Sequence, residues 1–256
     1  MAEHDFKEIY EKLLHYCRIR TSPVAIKWFH DIEDMKAIPS IELIGRRGTA
    51  CLIIAAAARQ NRTMGITAED FIHTHCRAAN GFGPRSERWL SAVPLIDRWH
   101  SNKEAAESHH ASMTHLSVGD YQALAAAPLQ SGNIADPDVV GVFATPAQAF
   151  MILAAYLNIN HKKLDFHFNG ESSCSESWVA TKATGKPGIN FGDMGGKWFG
   201  HMAEDELLLT MTLADVELTL KGADNLNAAG IVYPISGMGL DTGDPMEVQP
   251  PAFLEE

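Results

Sequence analysis

Four cysteines and 12 histidines are spread through 256 residues, and which of them can meet decides what chemistry is open to the chain. The densest group is His73-Thr74-His75-Cys76, three potential metal ligands in four positions. If this segment is helical, His73 and Cys76 share a face; if it is extended, His73 and His75 do. Either pair offers two donors to zinc or iron. A tetrahedral site then needs further ligands, and His167 or His201 can supply one. No H-E-x-x-H pattern and no zinc-ribbon spacing occurs. Beside a redox or Lewis-acid centre, His73 or His75 is equally a candidate general acid or base.

The cysteines give a second reading of the same segment. Cys51 follows Thr49 at the head of "GTACLIIAAAARQNR", so a Thr49 cap places Cys51 in the first turn of a helix. Cys174 stands in the same way behind Ser172 and Ser173 in "ESSCSES". A helix N-terminus lowers a thiol pKa and favours bound negative charge. Thiolates at Cys51, Cys76 and Cys174 can therefore hold three irons of a [4Fe–4S] cluster, leaving one iron open for substrate. The alternative is that each is a buried thiol packing as a small apolar group, the reading adopted for Cys17 on the apolar face of the first helix. There is no C-x-x-C pair to choose between them.

The third feature is "GINFGDMGGKWFG" at 188–200. It lacks both G-x-G-x-x-G at a strand–helix junction and G-K-[ST], so it is not a nucleotide fingerprint. Gly192, Gly195 and Gly196 would let backbone approach a ligand or cluster closely. With Trp198 and His201 they form the candidate cofactor-binding set, and Lys197 joins His73 and His75 as a candidate catalytic residue. The competing reading is a tight hairpin with a bulge. Adjacent His109 and His110 point to different sides of a helix and are read as a solvated face. No G-x-S-x-G elbow is present, which excludes the usual serine-hydrolase pattern.

These residues need a scaffold. The chain is long enough for one large domain with a sizeable core. Its 46% hydrophobic and 21% charged residues are ordinary for a globular protein. A formal charge of -11 argues against sequence-independent nucleic-acid binding, which needs clustered Lys and Arg. The N-terminus has no apolar signal-peptide core and no run reaches the ~18 apolar residues of a membrane span, so a cytoplasmic protein without membrane association is expected. Periodicity predicts helices over 3–17 and 48–62, a strand at "VAIKWF", a strand at 121–129 ending at Pro128, and the strand "VVGVF". Thr145-Pro146 then opens a helix to about Leu157. "KLDFHF" (163–168) alternates and predicts a half-buried strand. A helix follows over 171–184, and a strand and a Thr212-capped helix close the series. Strands and helices alternate irregularly, which predicts a single α+β domain with a mixed sheet flanked by helices over 1–227. Residues 228–256 are rich in Gly and Pro yet too apolar for a disordered tail. They predict an extended C-terminal arm and a homo-oligomer.

In order along the chain, "TSPVAIKWF", "ACLIIAAAARQNRTMGITAEDF" with "HCRAANGFG", "DVVGVFATPAQAFMILAAY", "FHFNGESSCSES" and "GINFGDMGGKWFGHMAEDELLLTMTLADVELTL" resemble the bacterial and archaeal family called domain of unknown function 169. The resemblance covers roughly residues 5–225. It implies a shared site at Cys51, Cys76 and Cys174, since members typically carry cysteines at the matching positions. Many members come from anaerobes. This chain departs with "HTHCRAANGFG" in place of a Cys-Pro-Gly-Gly-like run and with "GDMGG" in place of a Gly-Cys-Tyr-Gly-like run. The expectation is an iron–sulfur or other metal-dependent oxidoreductase or lyase acting on a small molecule. The alternative is a non-catalytic protein that binds haem, another cofactor or a transition metal.

Overall fold

A computed structural model of the chain describes residues 5–45, 47–84 and 100–233, apart from the Thr74 side chain. The series opens with α1 (Phe6–Cys17), β1 (Val24–Phe29), α2 (Ile32–Lys36), β2 (Glu42–Leu43), α3 (Ala50–Gln60), β3 (Met64–Thr67), α4 (Thr74–Ala79) and α5 (Lys103–Ser112). It continues with β4 (Ala123–Pro128), β5 (Val139–Ala144), α6 (Pro146–Asn160), α7 (Ser173–Glu176), α8 (Trp178–Thr184), β6 (Gly188–Asn190), α9 (Met194–Trp198), β7 (Leu207–Met211) and α10 (Leu213–Ala228).

The seven strands form one sheet in the order β2-β3-β4-β1-β5-β7-β6. The β2–β3 pair is parallel and every other pair antiparallel, so the sheet is mixed and the chain is one α+β domain. The central strands β4, β1 and β5 are apolar at nearly every position because both faces are covered. Alternation decides which side each residue serves. Ala25 and Phe29 of β1, Val140 and Val142 of β5, and Leu207 and Leu209 of β7 join α1, α6 and α10 in one core. Val24, Ile26 and Trp28, with Phe143 and Leu208, join α3 in the other. That second core also holds Cys51 and Cys174, with Cys76 packed against it.

Local signals account for most boundaries. The Leu52 N–H donates to Thr49 Oγ1 at 3.2 Å and starts α3, which Asn61 ends in the left-handed conformation. Thr145 and Gln148 form a reciprocal capping box behind Pro146 at the head of α6. The structure departs from the expected elements in three places. Residues 163–168 are not a strand: Lys163, Asp165, His167 and Phe168 are all exposed, and the alternation has no partner strand. The predicted helix over 171–184 is broken at Ser177 into α7 and α8. The 188–200 segment is not a hairpin, because Asp193 caps a short helix, α9. Residues 234–256 of the expected arm lie outside the described residues.

Candidate functional site

Three helix starts meet on the second face of the sheet. Cys51, Cys76 and Cys174 each lie in a first turn, of α3, α4 and α7 respectively. The Cys76 thiol donates to the Cys174 sulfur, which holds the Cys76 proton well above the ordinary thiol range, with burial adding to the effect. The same contact lowers Cys174. Ser172 Oγ, the α7 cap, also touches Cys174 Sγ at 3.1 Å. Burial first, then the charges of Asp193 and Cys174, push the Cys51 thiol up. The three thiols thus feel one another, although they do not draw as close as the tightest ligand group described below.

Polar side chains lock these turns together. Asn80 is fully buried. Its Nδ2 donates to the Cys76 carbonyl at 2.8 Å, and its Oδ1 accepts from Trp178 Nε1 at 3.2 Å. It therefore ties α4 to α8. Asp193 accepts from the Ser173 N–H at 2.8 Å, from the Gly196 N–H at 2.6 Å and from the Ser173 hydroxyl, which fixes α9 against the turn bearing Cys174. The Glu176 carboxylate accepts from the N–H groups of Asn169 and Gly170, both at 2.6 Å, and from Asn190 Nδ2. Its burial raises its pKa, against these hydrogen bonds, which favour the charged form.

Beside the sulfurs stands a group of histidines. The His73 and His75 rings are 6.2 Å apart, and His75 lies 5.5 Å from His110. His110 Nε2 is 3.1 Å from Glu171 Oε1, and His100 Nε2 is 3.2 Å from Glu171 Oε2. The expectation of a solvated His109-His110 face is overturned: His110 is only 4% exposed. A buried carboxylate on a neighbouring loop turns this side of α5 inward.

The remaining candidates are spread around the rim. Gly196 packs on Ser173, where a Cβ would approach the hydroxyl to 3.0 Å, and it lines a narrow cleft with Cys51, Trp178 and Met202. That cleft has about 10 Å³ of free space, room for about one water. Gly192 has a φ of +85°, and a Cβ there would meet Met202 Sδ at 2.6 Å. Gly195 faces the Asp193 carboxylate. Lys197 Nζ donates to the Ala203 carbonyl at 2.7 Å. Trp198 is exposed, and His201 lines a separate groove with Arg59 and Arg62. His167 is exposed.

Sequence reasoning missed Asn80, His100, Glu171, Glu176 and Asp193. Asp193 had a usable signal, since an Asp placed before a short run can cap a helix. Glu171 had a weaker one, its place three residues before Cys174.

The donor chemistry fits a metal or cluster: three soft thiols from separate segments, each near the exposed N–H groups of a helix start. The three sulfurs do not all lie within 4.8 Å of one another. The family model described as uncharacterised ArCR, DUF169, matches residues 12–222. Among curated proteins and among solved structures, none matches the chain.

Proposed function

Because the chain belongs to the DUF169 family, we propose that it is a metal-dependent enzyme acting on a small molecule. The centre would be an iron–sulfur cluster held by Cys51, Cys76 and Cys174, and the reaction class a reduction or an elimination. One observation carries this reading: three cysteines from distant parts of the chain each open a helix, and their thiols interact. When bound, the centre supplies an open Lewis-acid or electron-donating position.

The chain's own residues do the rest. Asn80 and Asp193 fix the turns that carry the thiols. Trp178, Phe143 and Met202 wall the cleft beside Cys51 and leave room in it for about one water. His73 and His75 hold and pass the proton that a reduction or elimination requires. Trp198 and Phe191, both exposed, and the α9 turn with Gly192, Gly195 and Gly196 form the rim that a substrate crosses. Lys197, now held by Ala203, reaches a substrate only if it exchanges that carbonyl for an acidic group.

The test uses anaerobically isolated protein with single Cys51→Ala, Cys76→Ala and Cys174→Ala changes. A shared centre predicts that any one change removes most of the bound iron and most of the broad absorbance near ~400 nm. Independent packing roles predict separate, additive stability losses instead and no change in metal content. A sharp Soret band without acid-labile sulfide would replace the cluster with haem.

A further inference from the structure

The tightest group of metal-ligating atoms among the described residues does not involve a cysteine. His100 Nε2, His109 Nε2 and a Glu171 carboxylate oxygen all lie within 4.8 Å of one another. The group is largely shielded: the His100, His109 and Glu171 side chains are 11%, 24% and 6% exposed. A single carboxylate faced by three imidazoles is an unusual thing to bury for stability alone. Fixing one charge and several rings in place costs desolvation and order that a well-packed apolar cluster would not.

The orientation of His109 is the independent observation. The Asn169 backbone carbonyl faces one of its ring nitrogens. The other, Nε2, is buried without a hydrogen bond among the described residues and points at Glu171 Oε2, 3.6 Å away. A carbonyl on Nδ1–H sets the tautomer that leaves a lone pair on Nε2, which is how ligating histidines are prepared for a metal. Glu171 is prepared in the same sense. His110 holds its Oε1 at 3.1 Å, and Asn169 Oδ1 accepts from the Glu171 N–H at 3.0 Å. One carboxylate oxygen is thereby steadied while the other is turned to His100 and His109. Asn169 itself is fixed by the Glu176 carboxylate, so the supports extend a further step into the fold.

We propose that His100, His109 and Glu171 bind a divalent transition-metal ion of borderline softness, such as zinc, cobalt or ferrous iron, at a second site beside the cysteine centre. Two imidazoles and one carboxylate select this class over calcium or magnesium, which prefer all-oxygen sites, and leave positions open for water or a small ligand. The site does not depend on the cysteines holding anything. Its position is suggestive, because Glu171 lies three residues before Cys174 and His75 bridges the two groups. An ion here would put a fixed positive charge next to the histidines that line the cysteine site.

Cobalt(II) chloride added to the anaerobically isolated full chain tests this. The expected result is one added equivalent showing ligand-field bands without thiolate-to-cobalt charge transfer. His109→Ala should weaken that binding about 100-fold or more, with far-UV circular dichroism unchanged, and Glu171→Gln should do the same. His115→Ala, on an exposed residue outside the group, should not. Cys76→Ala should leave the added equivalent in place, which separates this site from the cysteine centre. If Glu171→Gln fails to fold, His109→Ala, whose side chain is partly exposed, still decides. Absence of the added equivalent, its survival in His109→Ala, or thiolate charge transfer that disappears in Cys76→Ala would each overturn the proposal.

Discussion

The four cysteines end in two different environments, and neighbours decide which. Cys17 closes α1 on the face of the sheet away from the site, among apolar side chains, and burial alone pushes its thiol from 9.0 up to about 12. A raised folded-state pKa contributes stability that is present below the unfolded pKa and lost as pH rises through the folded value. The window is therefore about pH 9 to 12, and a shift of three units limits the loss to about 4 kcal/mol. Cys17→Ala should lower stability at pH 7.5 yet flatten its decline between pH 9 and 10.5, as read by urea midpoints. An equal decline in both proteins would show that this thiol is not shielded. Cys51, Cys76 and Cys174 differ because they sit beside one another and beside Asp193. The helix-start positions of Cys51 and Cys174 were legible, since Thr49 and Ser172 announce caps; that of Cys76 was not, because His73–Cys76 reads equally as helix or strand. The carboxylate that gathers His100, His109 and His110 was not, because nothing local joins Glu171 to residues some sixty positions earlier.

At the scale of elements, strong local chemistry was read well and weak periodicity badly. The Thr145-Pro146 start and the "ACLIIAAAARQ" helix carry their own caps and propensity, and they form as expected. "KLDFHF" had only alternation, which makes a strand solely where another strand pairs with it. Close packing between helices was equally invisible. Gly222 on α10 lies so near α6 that a Cβ would stand 1.8 Å from the Ala155 carbonyl oxygen. Gly222→Ala should therefore destabilise by about 1–3 kcal/mol despite alanine's better helix propensity. The melting temperature should fall by about 3–10 °C, with the metal content of the folded protein unchanged. A rise in melting temperature would mean that the two helices can part at no cost.

Over the whole molecule, the sheet separates two cores. One face carries α1, α6 and α10 and is a plain apolar core. The other carries α3 and packs with the short helices α4 and α7, whose first turns present the cysteines, beside the buried His110 of α5. The mixed α+β architecture could be anticipated because element types alternate irregularly along the chain. The strand order could not, since it places β1 between β4 and β5 and the edge strand β6 beyond β7. We propose that the cysteine-bearing face holds a metal centre. The most direct measurement is the iron and acid-labile sulfide content of anaerobically isolated protein, taken with its visible spectrum. An iron–sulfur centre there gives brown protein with matching iron and sulfide and broad absorbance near ~400 nm. Colourless protein, free of metal and sulfide when purified without oxygen or chelator, would contradict it.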